Sequence, residues 1–170
     1  MTIDVYTDGS TKDNGTDDAV GGWAYLIMAP GAAGNFIIER AEQVFGTTNN
    51  RMELVAIIKA LEKIKSSPLL HIFDYSKINI FTDSAYVYNC YIQKWYMNWQ
   101  KNGWKNAKKE PVKNKELWEQ LIPYFEDNHF SFYKVKGHSG NEYNEIVDSL
   151  AQNAAIGHFT DMAYFDVEEK

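Results

Sequence analysis

Four carboxylates stand in settings that could do chemistry together. They are Asp8 in Tyr6-Thr7-Asp8-Gly9-Ser10, Glu53 in Thr48-Asn49-Asn50-Arg51-Met52-Glu53-Leu54, Asp83 in Phe81-Thr82-Asp83-Ser84 and Asp148 in Asn144-Glu145-Ile146-Val147-Asp148. Asp8 and Asp83 end apolar, strand-like runs, and Glu53 and Asp148 sit on amphipathic helical runs. Open sheets place ligand sites at the carboxyl ends of their strands. Brought together there, the four would form an all-oxygen pocket whose charges repel unless cations hold them. Such a pocket suits a hard ion such as Mg²⁺, and two such ions are a usual apparatus for phosphodiester hydrolysis. No Cys/His spacing for zinc occurs.

Each acid also has an ordinary structural alternative. Asp8 precedes Gly9 and can begin a turn. Glu53 can close a capping box with Asn50 as N-cap. Asp83 can cap the helix that follows it, and Asp148 can face solvent. Of the four histidines, His71, His129 and His158 have no chemical context. His138 lies in Gly137-His138-Ser139-Gly140, just before the helix of Asp148. A histidine on a glycine-flanked loop can approach a substrate and carry protons near neutral pH.

The elements that must position these groups are legible as periods. Ile3, Val5 and Thr7 alternate as a strand running to Asp8. Gly21–Ala29 and Asn35–Gly46 read as the next two strands, an antiparallel meander with the first. Met52, Val55, Ile58, Leu61 and Ile64 make a helical stripe over Asn49–Lys65, ended by Ser66-Ser67-Pro68. A fourth strand ends at Asp83. One or two short helices fill 84–103, a basic loop spans Lys105–Asn114, and Glu116–Glu126 is helical. His129–Val135 alternates as a fifth strand. Asn141–Ile156 is a last helix with Val147, Leu150, Ala151 and Ala154 inward and Gly157 as its stop. This order predicts an α/β domain over residues 1–157 with a mixed five-stranded sheet, three antiparallel strands then two parallel, flanked by helices. Residues 158–170 form an acidic, aromatic tail with no role legible in the sequence.

The 170 residues suit one domain. No apolar run is long enough for a membrane span, and the first residues do not resemble a signal peptide. The lone cysteine, Cys90, agrees with a reducing, cytoplasmic setting and is expected to be a buried small apolar group. The net charge of −6 is unevenly spread. Lys94 to Lys115 holds seven lysines and one acid, a net +6, leaving −12 elsewhere. A local basic patch attracts polyanions even on an acidic protein. Trp95, Trp99 and Trp104 lie among these lysines, where aromatics can meet sugars and bases. At the 95/99 spacing the rings share a helical face, so core packing competes.

With these stretches in hand, the chain closely resembles type 1 ribonuclease H of the bacterial type with a basic protrusion. The resemblance runs in order through Tyr6–Ser10, Thr47–Leu54, Phe81–Ser84 with Tyr86-Val87, Asn102–Lys105, Pro111–Asn114 and Val135–Gly140 followed by Asn144-Glu145 and Asp148. It covers roughly residues 3–156. It implies endonucleolytic hydrolysis of the RNA strand of RNA/DNA hybrids, leaving 5′-phosphate and 3′-hydroxyl ends. Asp8, Glu53, Asp83 and Asp148 then match the acids that hold two Mg²⁺ ions, with Mn²⁺ as a substitute. His138 matches a loop histidine that assists proton movement or product release. Asn14, Asn49 and Asn50 match residues that read 2′-hydroxyls in the minor groove, which is how RNA is told from DNA. Thr48 matches a phosphate contact on the DNA strand. Trp95, Trp99, Trp104, Lys105, Lys113 and Asn114 fall in the stretches that hold the substrate. The protrusion implies hybrid binding by a monomer without an obligatory protein partner and without a membrane.

Two departures stand out. Lys12–Asp18 is longer and more acidic than the family's usual Gly/Pro-rich stretch, and Ala85 stands where relatives often carry Gln. Three rival readings remain at this stage: a non-catalytic hybrid-binding module, a DNA-acting nuclease of the same fold and a structural Ca²⁺ binder. The four acids weigh against the first, the Asn49-Asn50 pair and the lysine–tryptophan segment against the second. The third leaves that segment and the histidine loop unexplained.

Overall fold

The computed structural model describes residues 2–67, 77–136 and 141–166. In chain order these form β1 (Thr2–Lys12), β2 (Val20–Gly31), β3 (Gly34–Phe45), α1 (Asn49–Ser66), β4 (Lys77–Thr82), α2 (Ala85–Gln93) and α3 (Trp95–Asn102). They continue with α4 (Lys115–Phe125), β5 (Phe130–Lys134), α5 (Glu142–Ala155) and β6 (Thr160–Asp166). The strands make one mixed sheet in the order β5-β4-β1-β2-β3-β6. β1, β2, β3 and β6 are antiparallel neighbours, while β1–β4 and β4–β5 run parallel.

Both faces of the sheet are covered, so the central strands read as nearly continuous apolar runs. On one face Ile3, Val5, Trp23, Tyr25 and Ile27 meet Met52, Leu54, Ile57 and Leu61 of α1. Trp118, Leu121 and Phe125 of α4 extend that core over Phe132. On the other face Tyr6, Ala24, Leu26, Ile37 and Ala41 meet Val147, Ala151 and Ala154 of α5. Each large aliphatic buried this way contributes about 1.5–3 kcal/mol before chain entropy is charged against it. Cys90 is fully buried in the larger core.

The sheet has six strands, not the five expected. Part of the tail, Thr160–Asp166, adds β6 along β3, from Asn35↔Asp166 to Ala41↔Thr160. Tyr164 turns inward, and its hydroxyl donates to the buried Glu39 Oε1 at 2.6 Å. Met162 and Phe165 stay exposed, so β6 lacks the alternation of a half-buried strand. β1 also runs past its expected end, through Asp8 to Lys12, because β2 continues to pair with it as far as Val20.

One helix cap differs from expectation, and one ordinary alternative for an acid falls away. Thr48, not Asn50, caps α1, its side chain accepting from the Arg51 N–H at 3.2 Å. Ser84 caps α2, accepting from the Val87 N–H at 3.2 Å. Both caps release an acid: Glu53 is not the third residue after the cap, and Asp83 is not the cap. α2 and α3 are separate helices because Lys94 between them takes a left-handed backbone, φ 56°. Among the described residues, no helix is long and apolar enough to cross a membrane.

Candidate active site and nucleic-acid clefts

The site begins where two parallel strands part. The β1–β4 ladder ends at Tyr6↔Phe81, whose rings stack at 4.8 Å. Asp8 and Asp83 each lie two residues further on, so by strand alternation both point to that same face. The crevice between parting strands is where open sheets place their ligands.

Glu53 is brought in by α1, and Gly9 makes this possible. A Cβ at residue 9 would sit 2.6 Å from both the Met52 carbonyl carbon and the Glu53 amide nitrogen. Only a glycine lets the first turn of α1 rest directly on β1 at that point. On the opposite face Gly22 does the same for α5, since a Cβ there would meet the Ala155 nitrogen at 2.6 Å. That contact seats α5 against β1 and β2 and brings Asp148 within hydrogen-bonding reach of Asp8.

One ligand oxygen from each of Asp8, Glu53 and Asp83 lies within 4.8 Å of the others. Asp8 and Glu53 are buried, Asp83 and Asp148 partly exposed. The Gly9 N–H donates to Asp8 Oδ1 at 2.9 Å, and Gln152 Nε2 donates to Asp148 Oδ1 at 3.1 Å. Burial is the main reason that Asp8 holds its proton far above the usual carboxylate range, and the charges of Glu53 and Asp83 add to it. Glu53 is raised too, by burial first and then by the charge of Asp83, against the hydrogen bonds from Asp8 and the Gly9 N–H. The protein is thus holding carboxylates where water is scarce and like charges crowd. Glu53 Oε2 is buried with no hydrogen-bond partner among the described residues. A buried carboxylate oxygen left without a donor, in an all-oxygen cluster, fits a divalent cation as the missing partner.

All the expected substrate residues but Trp104 line two clefts that share Trp99. The first, about 550 Å³, is walled by Asn14, Thr48, Asn49 and Asn50 on one side and by Lys113 and Asn114 on the other. Asn14 reaches this wall because its Oδ1 accepts from the Asn49 N–H at 3.2 Å. The second, about 620 Å³, holds Trp95 and Lys105. Trp104 lines neither cleft; its ring lies 5.7 Å from Trp99 and 5.5 Å from Lys115 Nζ. All three tryptophans are half-buried and packed on the core, with Trp99 5.6 Å from the fully buried Trp118. Packing therefore accounts for one side of each ring. His138 lies outside the described residues.

Several contributors escaped the sequence reading. Arg51 Nη1 donates to Asn114 Oδ1 at 3.2 Å and pairs with Glu116 Oε1 at 2.6 Å, tying α1 to the far wall of the first cleft. Tyr86, which accepts from Trp118 Nε1 at 3.1 Å, also lines that cleft. Both residues lie inside the stretches already singled out, but nothing in a one-dimensional pattern pairs Arg51 with position 114. Gly9 did carry a signal: a glycine beside an acid in a strand marks a close approach.

Fold and site together define an α/β protein with a buried carboxylate cluster at the parting of two parallel strands, flanked by polar and aromatic clefts. The RNase H sequence profile matches residues 1–156. A ribonuclease H of Clostridium botulinum is 43% identical over 150 residues, covering 88% of this chain and 93% of the relative. One of Syntrophomonas wolfei is 44% identical over 152 residues, covering 89% and 94%. Among solved structures, LC9-RNase H1, described as a type 1 RNase H with the type 2 active-site motif, superposes with a TM-score of 0.76. It is 27% identical and covers 97% of this chain and 77% of its own. The chain belongs to the RNase H family, whose members are hydrolytic nucleases.

Proposed function

We propose that the chain cuts the RNA strand of RNA/DNA hybrids endonucleolytically, using two Mg²⁺ ions held by Asp8, Glu53, Asp83 and Asp148. The observation that carries this reading is the cluster of three carboxylates within 4.8 Å, one of them with a buried, unpartnered oxygen. Bound there, divalent ions supply an activated water and a counter-charge for the leaving oxygen, giving 5′-phosphate and 3′-hydroxyl ends. Asp8 holds a proton in the metal-free state, so binding of a cation there would be coupled to loss of that proton. The Gly9 N–H orients Asp8, and Gln152 orients Asp148. His138 serves the exchange of protons or the release of product. Mn²⁺ substitutes for Mg²⁺, since both take octahedral oxygen ligands.

Asn14, Asn49 and Asn50 supply donors and acceptors for 2′-hydroxyls, and Thr48 a phosphate contact. Trp95, Trp99, Trp104, Lys105, Lys113 and Asn114 hold the hybrid from the other side. The chain acts as a monomer without an obligatory protein partner, in the cytoplasm; residues 1–157 carry the activity, and Thr160–Asp166 adds the outermost strand beyond β3. The test is an end-labelled RNA strand annealed to DNA or to RNA, with Mg²⁺ or with EDTA. Mg²⁺-dependent cutting of the hybrid alone is expected. Asp83→Asn should abolish that cutting and keep hybrid binding. Near-normal turnover by this variant at saturating Mg²⁺ would contradict the assignment.

A further inference from the structure

A third cleft, about 320 Å³, opens beside the acid cluster, and of its lining only Gln152, through its bond to Asp148, has a role above. It is lined by Ser10, Lys12, Gln152, Asn153 and Ile156. Its walls continue the two elements that carry acids. Along β1, Asp8, Ser10 and Lys12 alternate onto one face. That face is α5's, because Ser10 pairs with Gly22, whose missing Cβ points at α5. Along α5, Gln152 stands one turn beyond Asp148 and donates to it at 3.1 Å. The cleft therefore abuts the Asp8–Asp148 side of the cluster. The clefts of Asn14, Asn49 and the tryptophans adjoin α1 and α4, which cover the opposite face.

Its chemistry is the reverse of its neighbour's. Every polar side chain lining it is a donor, hydroxyl, amide or ammonium, and no carboxylate is among them. Among the described residues Lys12 makes no ion pair, and neither the Ser10 hydroxyl nor the Asn153 amide has a hydrogen-bond partner within the protein. An unpaired cation beside neutral donors suits an oxyanion.

We infer that this cleft seats a backbone phosphate of the cut RNA strand, on the side of the acid cluster away from the tryptophans. The inference rests on the function proposed above and adds to it a residue, Lys12, and a contact on the scissile strand. The strand follows from adjacency: a chain whose phosphodiester lies on Asp8 and Asp148 must pass the next turn of α5 as it leaves. Four residues of α5 span roughly 6 Å and four of β1 roughly 13 Å. At about 3.4 Å of helix axis per nucleotide, and about twice that along the backbone itself, the seated phosphate lies roughly one to four nucleotides from the cut bond.

The test uses the full chain and a chimeric strand with a few central ribonucleotides in deoxynucleotide flanks, annealed to DNA. Single flanking phosphates are replaced one at a time by uncharged methylphosphonates, and KM is read for each at fixed salt. In the wild-type protein, one neutral linkage one to four nucleotides from the cut should raise KM about 3- to 10-fold. Lys12→Gln, at an exposed strand end, should raise KM on the unmodified hybrid by a similar factor. It should abolish the response to that one linkage and lower the slope of log KM against log salt by about one. Lys63→Gln, on the last turn of α1, makes the same change in net charge and should keep the wild-type response. A Lys12→Gln protein that still senses the same linkage, or a sensitive linkage found only on the DNA strand, would overturn the subsite alone. Failure of the wild-type protein to cut the unmodified hybrid would overturn the function on which it rests.

Discussion

Replacing Asp8 by asparagine should disable the enzyme and stabilise the metal-free protein. Asp8 is buried, and its nearest ligand oxygen is within 4.8 Å of those of Glu53 and Asp83. Two full charges at that separation would repel by about 3.5 kcal/mol at an effective dielectric constant of 20, which adds to the cost of burial and keeps Asp8 protonated. Asparagine keeps the shape, keeps an oxygen for the Gly9 N–H and offers Glu53 or Asp148 an amide donor in place of a carboxylate. The pH dependence follows from the direction of the shift. Asp8 is raised in the folded state, by burial first, so between the ordinary aspartate value near 4 and its folded value the native protein binds more protons than the unfolded chain. Asp8's contribution to stability is then complete below about pH 4 and is lost as pH rises through that window. The variant, which has no such proton to lose, should match the wild-type protein near pH 4 and gain on it by up to about 1.4 kcal/mol per pH unit above that, about 5 kcal/mol by pH 8. For a chain of this size that is about 10–20 °C in Tm. The assay is thermal unfolding at both pH values, with EDTA and with saturating Mg²⁺. Mg²⁺ should raise the wild-type Tm and leave the variant nearly unmoved. A variant that melts below wild type at pH 8 in EDTA, yet still gains stability from Mg²⁺, would refute both the electrostatic account and the place of Asp8 among the ligands.

Three further outcomes are expected. Gly9→Ala must push the first turn of α1 off β1, costing about 1–3 kcal/mol in urea unfolding; its kcat at saturating hybrid should fall by more than tenfold because Glu53 moves with the turn. Arg51→Ala loses a partly exposed ion pair, so its urea midpoint should shift by less than about 1 kcal/mol, while the KM for hybrid rises severalfold as Asn114 is released from the cleft wall. Tyr164→Phe leaves the buried Glu39 carboxylate without its 2.6 Å donor and should cost about 1–3 kcal/mol by urea unfolding; an unchanged midpoint would mean that β6 does not secure the sheet edge.

The sequence by itself determined the interior of this protein and the identity of its reactive groups. The alternation of Ile3, Val5 and Thr7 and the helical stripe from Met52 to Ile64 are local patterns of burial, and local patterns survive in one dimension. The order of the acid-bearing stretches was enough to suggest the family, because residue type and spacing are themselves what a family keeps. Helix caps were less secure: Thr48 and Asn50 are both good caps, and only the path of the chain into α1 chose between them. β6 was invisible because an edge strand with Met162 and Phe165 outward carries no alternation, and its partner β3 lies more than a hundred residues earlier. The ion pair of Arg51 with Glu116 and the third cleft are likewise products of long-range approach. What only the tertiary structure decided was whether four acids, each with an ordinary alternative, would meet. Gly9 and Gly22 remove the side chains that would hold α1 and α5 away from the sheet, and the resulting contact forces together charges that sequence spacing leaves as much as 140 residues apart.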